Sequence, residues 1–273
     1  MRLINRKPGN MERVFLALLP FIALVIAYAV ASAIRRADNP ADKLLPSLDA
    51  MGRAFSRMAF TPDKRSGDYL LWLDTADSLV RLGIGMAVSA GLALSLGIAI
   101  GFIPRIRAGL APFISAISLI PPITVLPILF IMFGLGETSK IMLIVLGTAP
   151  VMIRSAAQSV IDIPREQIVK AETLGASTWQ MVTRLALPQL LPKLITALRL
   201  ALVPAWIFLI SAEAAASTSG LGYRIFLVRR YLAMDVILPY VAWITLLAFL
   251  IDRTLLFVSR RQFRWAHLEG DAL

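Results

Sequence analysis

Apolar residues dominate six stretches of this chain, at 14–34, 82–103, 108–133, 141–163, 185–216 and 236–259. None alternates apolar and polar positions, the pattern that a membrane β-barrel demands. Each reaches the length of about 20 residues that a helix needs to cross the hydrocarbon core. Backbone amides in lipid must be satisfied within their own segment, so these stretches predict helices. The pattern therefore predicts an all-α polytopic membrane protein with about six transmembrane helices. The first run is longer than the apolar core of about 7–15 residues in a secretory signal, so an uncleaved span is expected despite the "AVASA" at Ala29 to Ala33.

Four segments follow. Residues 1–34 form a cytoplasmic N-terminus and first span, and 35–77 a polar extracytoplasmic connection with a surface helix at about 46–60. Residues 78–259 form a five-helix core, and 260–273 a cytoplasmic tail. In the second stretch Ala87, Gly91, Ser95 and Ala99 recur every four residues beside a G-x-x-x-G at Gly97 and Gly101. Small residues on one face predict close helix packing in a bilayer. In the third stretch Pro121, Pro122 and Pro127 must open or kink the helix around Thr124. Irregular backbone at membrane depth lines a cavity or serves packing alone, and both readings stay open.

Composition changes the picture little. The 273 residues are 58% hydrophobic and 16% charged, against about a quarter charged in soluble domains. The net charge of +11 fits Lys and Arg at lipid headgroups. No nucleic-acid partner is expected, because no soluble segment interleaves basic residues with aromatics. Cysteine is absent, which removes disulfide and thiol chemistry. The sole histidine, His267, sits in the tail, and no metal-ligand spacing, Ser–His–Asp set or paired-carboxylate site occurs. We expect no catalytic residue, metal or cofactor in this chain. Arg2, Arg6, Lys7, Arg13, Arg105, Arg107, Arg154, Arg165, Lys170, Arg184, Arg260, Arg261 and Arg264 fall on one side of a six-span topology, which predicts both termini in the cytoplasm.

Between the fourth and fifth stretches lies a charged segment, "DIPREQIVKAETLGASTWQMVTRLALP". Asp162 suits an N-cap, Pro164 the first turn and Glu166 the positive helix end. A helix from about 164 to 174 should end at Gly175 in the left-handed conformation. Ser177 to Gln180 matches a capping box that starts a second helix, and Pro188 and Pro192 introduce the fifth span. The result is a helix–glycine–helix element at about 164–184. It is either an amphipathic loop on the membrane or a docking element for another protein.

The same residues resemble the cytoplasmic signature of ABC importer permeases, E-A-A, three residues, G, nine residues, I-x-L-P. Gly175, Leu185, Leu187 and Pro188 hold that spacing, and Ala171 falls on the second alanine. Val169 stands where the family often has Glu and Lys170 where it often has Ala. "DSLVRLGIGMAVSAGLALSLGIAIG", "IPPITVLPILFIMFGLGETSKI" and "AEAAASTSGLGYRI" are similar to the branch importing nitrate, taurine and aliphatic sulfonates. The resemblance covers roughly residues 45–265. It implies a type I ABC importer permease fold whose cytoplasmic coupling helix comprises Ala171, Glu172, Leu174, Gly175, Ala176, Ser177, Trp179, Arg184, Leu187 and Pro188. It also implies two ATP-binding subunits carrying ATP and Mg, a second permease chain, most simply a homodimer, and an extracytoplasmic substrate-binding protein. The substrate would be a small anion or zwitterion, such as a sulfonate, taurine, nitrate or an organic acid, and the place the bacterial cytoplasmic membrane. This chain would not be an enzyme: "GLGETSK" at Gly134 to Lys140 lacks the spacing of a phosphate-binding loop.

Pro121, Pro122, Thr124, Ser211 and Glu213 are candidates for the translocation path. An acid inside a span is a functional suspect, yet Glu213 equally suits a structural ion pair. Arg154, Lys193 and Arg199 are expected to snorkel to the cytoplasmic surface. Gly220, Gly222 and Arg224 read as an external gate or a contact for the binding protein, with Arg229 and Arg230 on a solvated rim. A secondary transporter or channel is the competing reading, but its usual matching pair of broken helices is missing. A membrane-embedded enzyme would need a polar constellation that is missing too.

Overall fold

The computed structural model describes residues 9–39, 42–64 and 66–267. Arg2, Arg6 and Lys7 and the end of the tail lie outside them, as does the side chain of His267. The order is α1 (Asn10–Asp38), α2 (Leu48–Phe60), α3 (Leu70–Phe102), α4 (Pro104–Ile117), α5 (Pro122–Phe133), α6 (Glu137–Ile161), α7 (Arg165–Thr173), α8 (Thr178–Gln180), a π-helical stretch (Met181–Ala186), α9 (Leu187–Ala216), α10 (Leu221–Arg229), α11 (Met234–Gln262) and a final 3₁₀ turn (Arg264–His267). Among the described residues every regular element is helical. Five helices are long and apolar enough to cross a membrane, and α4 with α5 make a sixth span if the pair counts as one.

Several expected boundaries move. The second span starts at Leu70 rather than 82, because Asp74, Asp77, Ser78 and Arg81 extend the helix with polar side chains that find partners. The polar connection is correspondingly shorter than 35–77. It carries α2, which Ser47 caps by accepting from the Ala50 amide at 3.1 Å. The Tyr28 hydroxyl donates to the Pro46 carbonyl (2.7 Å) and Ser32 to that of Leu45 (2.9 Å), which ties α1 to this connection. The proline-broken third stretch is sharper than a kink: α4 and α5 meet at 96°. Pro104 and Pro122 open their helices where a missing N–H costs nothing.

The centre of the bundle is the pair α3–α6. Added Cβ atoms on Gly97 and Gly101 would stand 2.5 Å from Ala156 Cβ and 2.4 Å from Val160 Cβ. The absent side chains are therefore what brings these helices together. We predict that Gly97→Val lowers thermal stability in detergent by about 1–3 kcal/mol through overpacking. Gly91, with open space at its Cβ, should accept alanine without loss. Equal effects at both positions would remove the packing argument. Around this pair α9 buries Leu190, Leu194, Leu202, Ala205, Trp206 and Leu209, and α11 adds Tyr240 and Ile244. Trp243 joins α11 to α3 by donating to the Thr75 hydroxyl at 3.0 Å.

Candidate functional sites at the two ends of the bundle

The charged segment after α6 folds as a compact corner. α7 begins after Pro164, so Pro164 takes the N-cap position expected of Asp162. Asp162 instead closes α6, where its carboxylate accepts from the Gln158 amide side chain at 2.7 Å. Gly175 has φ +74°, the left-handed conformation the sequence predicts. The Gly175 amide donates to the Glu172 carbonyl (2.9 Å) and the Ala176 amide to that of Ala171 (3.0 Å), the paired bonds of a Schellman motif. Ser177 and Gln180 form the capping box, with reciprocal bonds of 2.8 and 3.3 Å.

The following segment differs from the expected separate helix. The single turn α8 runs through the π-helical stretch directly into α9, so the corner is continuous with a membrane span. Gln189 on α9 donates to Gln167 on α7 at 2.9 Å, which fixes the two arms. Displacing the corner must therefore displace α9. Val169, Leu174 and Trp179 project from it at 46%, 79% and 74% exposure. Glu172, Gly175, Ser177, Arg184 and Pro188 are exposed, while Ala171, Ala176 and Leu187 are half-buried.

At the other end of the same helices is a polar cluster that the sequence reading touched only through Glu213, Gly220, Gly222 and Arg224. The 25 residues of α6 separate the two ends by about 36 Å. Arg81 donates from Nη1 to Glu213 Oε1 (2.7 Å) and to the Ser219 carbonyl (2.9 Å), and its other nitrogens grip both oxygens of Glu137. Glu213 is fully buried; it also accepts from Ser78 Oγ and the Gly222 amide, each at 2.8 Å. Lys140 completes Glu137 at 2.8 Å. Asp74, fully buried, accepts from Arg224 Nε (2.8 Å), the Gly220 amide (3.0 Å) and the Tyr240 hydroxyl (3.3 Å). Burial works against the Arg224 charge, but the Asp74 carboxylate outweighs it and pushes the guanidinium pKa up.

The candidate path residues are not gathered into one site. Every Glu213 oxygen is occupied by this cluster, so its carboxylate faces no open cavity. Ser211 turns its hydroxyl back onto the Ile207 carbonyl (2.7 Å), and Thr124 onto that of Pro121 (2.7 Å). Pro121 is exposed and Pro122 half-buried at the 96° break. Arg154 donates to Ser118 at that same break (3.0 Å), and Arg199 is paired with Asp252 of α11 at 2.7 and 3.1 Å rather than reaching for the surface alone. Lys193 is exposed. Among the described residues no group of His, Asp and Glu could hold a metal ion.

Residues 91–264 match the family described as "Binding-protein-dependent transport system inner membrane component". The chain belongs to this family. It is 37% identical over 198 residues to the taurine transport system permease protein TauC of Escherichia coli, covering 72% of each chain. It is 28% identical over 188 residues to the putative aliphatic sulfonates transport permease protein SsuC of Bacillus subtilis, covering 69% of this chain and 68% of that one. A solved bacterial ABC transporter involved in import of the acidic polysaccharide alginate shares its fold, with a TM-score of 0.64 and 14% identity over 92% of this chain and 96% of that one. The protein is thus the permease subunit of an ABC importer, a multi-pass inner-membrane component with the fold of type I importer permeases. Arg81, Asp74, Glu137 and Lys140 are the permease's residues that sequence reasoning missed. The one signal was Arg81, four residues after Asp77, at the edge of an apolar run.

Proposed function

We propose that this permease supplies the path and the lever, but not the hydrolysis, of an ATP-driven importer of small sulfonate-like anions or zwitterions. The 164–184 corner faces the cytoplasm with both termini and seats in a groove of an ATP-binding subunit, which carries ATP and Mg. Two such subunits serve two permease chains, most simply two copies of this one. A substrate-binding protein docks at the opposite, extracytoplasmic end. Substrate then passes between the two permeases by alternating access.

The observation that carries this reading is the corner itself. A capping box and a Schellman turn fix its shape, while Leu174 and Trp179 stand exposed on it. Large apolar side chains exposed on a fixed turn between spans favour a docking surface. The substrate class rests on the likeness to TauC and SsuC. Co-expression with an ABC-type ATP-binding subunit tests the assembly. Leu174→Asp combined with Trp179→Asp should cut ATPase capture by the purified permease at least about tenfold, since such anchors contribute about 2 kcal/mol or more each. Unchanged capture, or no ATPase with the wild type, would sink the proposal.

A further inference from the structure

Two joints in this permease are built on different physics. The α3–α6 pair is held by close apolar packing, with Gly97 and Gly101 against Ala156 and Val160. The tip of the α9–α10 hairpin is held to α3 by polar contacts: the Gly220 amide on Asp74 (3.0 Å), the Leu221 amide on Ser78 (2.9 Å), the Ser219 carbonyl on Arg81 (2.9 Å) and the Ser219 hydroxyl on Asp77. We propose that this tip, residues 217–222, is a latch: closed on α3 in this structure, it releases when the importer opens at the end remote from the 164–184 corner. The proposal rests on the importer reading above.

Three observations argue for release rather than a fixed joint. First, the cluster gathers four carboxyl groups (Asp74, Asp77, Glu137, Glu213) around three cations (Arg81, Lys140, Arg224), so acidic groups outnumber basic ones in the closed form. Buried ion pairs gain little over apolar side chains of similar volume, because desolvation offsets attraction. Second, water already reaches the rim: the side chains of Glu137 and Asp77 are 57% and 35% exposed. Every polar bond at the tip can thus be exchanged for a bond to water as it parts, whereas separating α3 from α6 would expose apolar surface with no such replacement. Third, the fit at the tip is narrow. Gly220 has φ +121°, and an added Cβ would stand 2.5 Å from the Glu213 carboxyl carbon and 2.7 Å from Arg81 Nη1. One methyl group there would wedge the latch open without removing a charge.

The test uses the whole importer, permease with ATPase subunits and binding protein, in lipid nanodiscs. The permease has no cysteine, so Asp77→Cys with Ser219→Cys introduces its only thiols. Ser89→Cys with Thr148→Cys is the control, because those hydroxyls touch across α3–α6 at 2.7 Å. Oxidation should cross-link both pairs at rest. Trapping with ATP, Mg and vanadate should lower the 77–219 yield about tenfold and leave the 89–148 yield unchanged. Gly220→Ala should raise ATP hydrolysis in the absence of binding protein. Equal 77–219 yields at rest and when trapped, no cross-link at rest, or unchanged basal hydrolysis in Gly220→Ala would each overturn the latch. Vanadate trapping is verified first. If wild type traps no nucleotide, the importer reading fails and the latch falls with it; trapping with unaltered 77–219 cross-linking removes the latch alone.

Discussion

Gly175→Pro should abolish stimulation of the partner ATPase by the binding protein while leaving the membrane bundle folded. The native φ of +74° is outside the reach of proline, which is held near −65°. The ring also removes the amide that donates to the Glu172 carbonyl. Both halves of the turn fail together, and the α7 arm must leave its angle to α8. The damage stays local, because a side-chain atom added at Gly175 meets open space. A graded series separates shape from mere disturbance. Asparagine tolerates the left-handed conformation and should keep most of the stimulation. Alanine, which pays about 1–2 kcal/mol there, should fall between. The measurement is ATP hydrolysis by the reconstituted importer with and without binding protein, with circular dichroism to confirm unchanged helix content. Undiminished stimulation in Gly175→Pro would falsify the lever.

The shape of that corner was legible because its determinants are local. A capping box and a left-handed glycine are each written in a few consecutive residues, and Ser177 and Gly175 appear where such rules put them. Asp162 failed as an N-cap for a local reason as well: Pro164 occupies the cap position, and Asp162 serves the end of α6 instead. The far end was not legible, because its partners are distant in sequence. Arg81 meets Glu137 and Glu213 only after α3, α6 and α9 have packed, and Asp74 finds Arg224 150 residues away. Hydropathy alone places the start of the second span after Arg81, since a window excludes a charge that the fold neutralises. Conversely, the proline run announced a break at 121–127 without giving its angle. The 96° bend depends on how α5 seats Leu126 and Leu129 against Leu143 and Ala212. Glu213 was visible as an anomaly, and its ambiguity between path and pairing could be narrowed only once its neighbours were in place.

Glu213→Leu should destabilise the permease by about 3–5 kcal/mol, the cost of leaving a buried charge without its partner. Arg81 has 5% side-chain exposure and would keep the Ser219 carbonyl and two carboxylates that are partly solvated, Glu137 at 57% and Asp77 at 35% exposure. Arg81→Met alone should be similarly harmful, because it strands the fully buried Glu213 carboxylate. The double variant Arg81→Met with Glu213→Leu is the informative one. It removes both charges together and fills their volume with apolar atoms, so its loss should be well below the sum of the singles. Thermal unfolding in detergent micelles measures the cycle, and additive losses would show that the two residues act independently. The double variant also bears on the latch. An apolar joint in place of Arg81 and Glu213 gains nothing from water as it opens. If release at this end belongs to transport, the double variant should assemble and hold ATPase subunits yet hydrolyse ATP slowly when binding protein is added. Near-native stability with lost stimulation would mean that the charges are kept for the cycle and not for the fold.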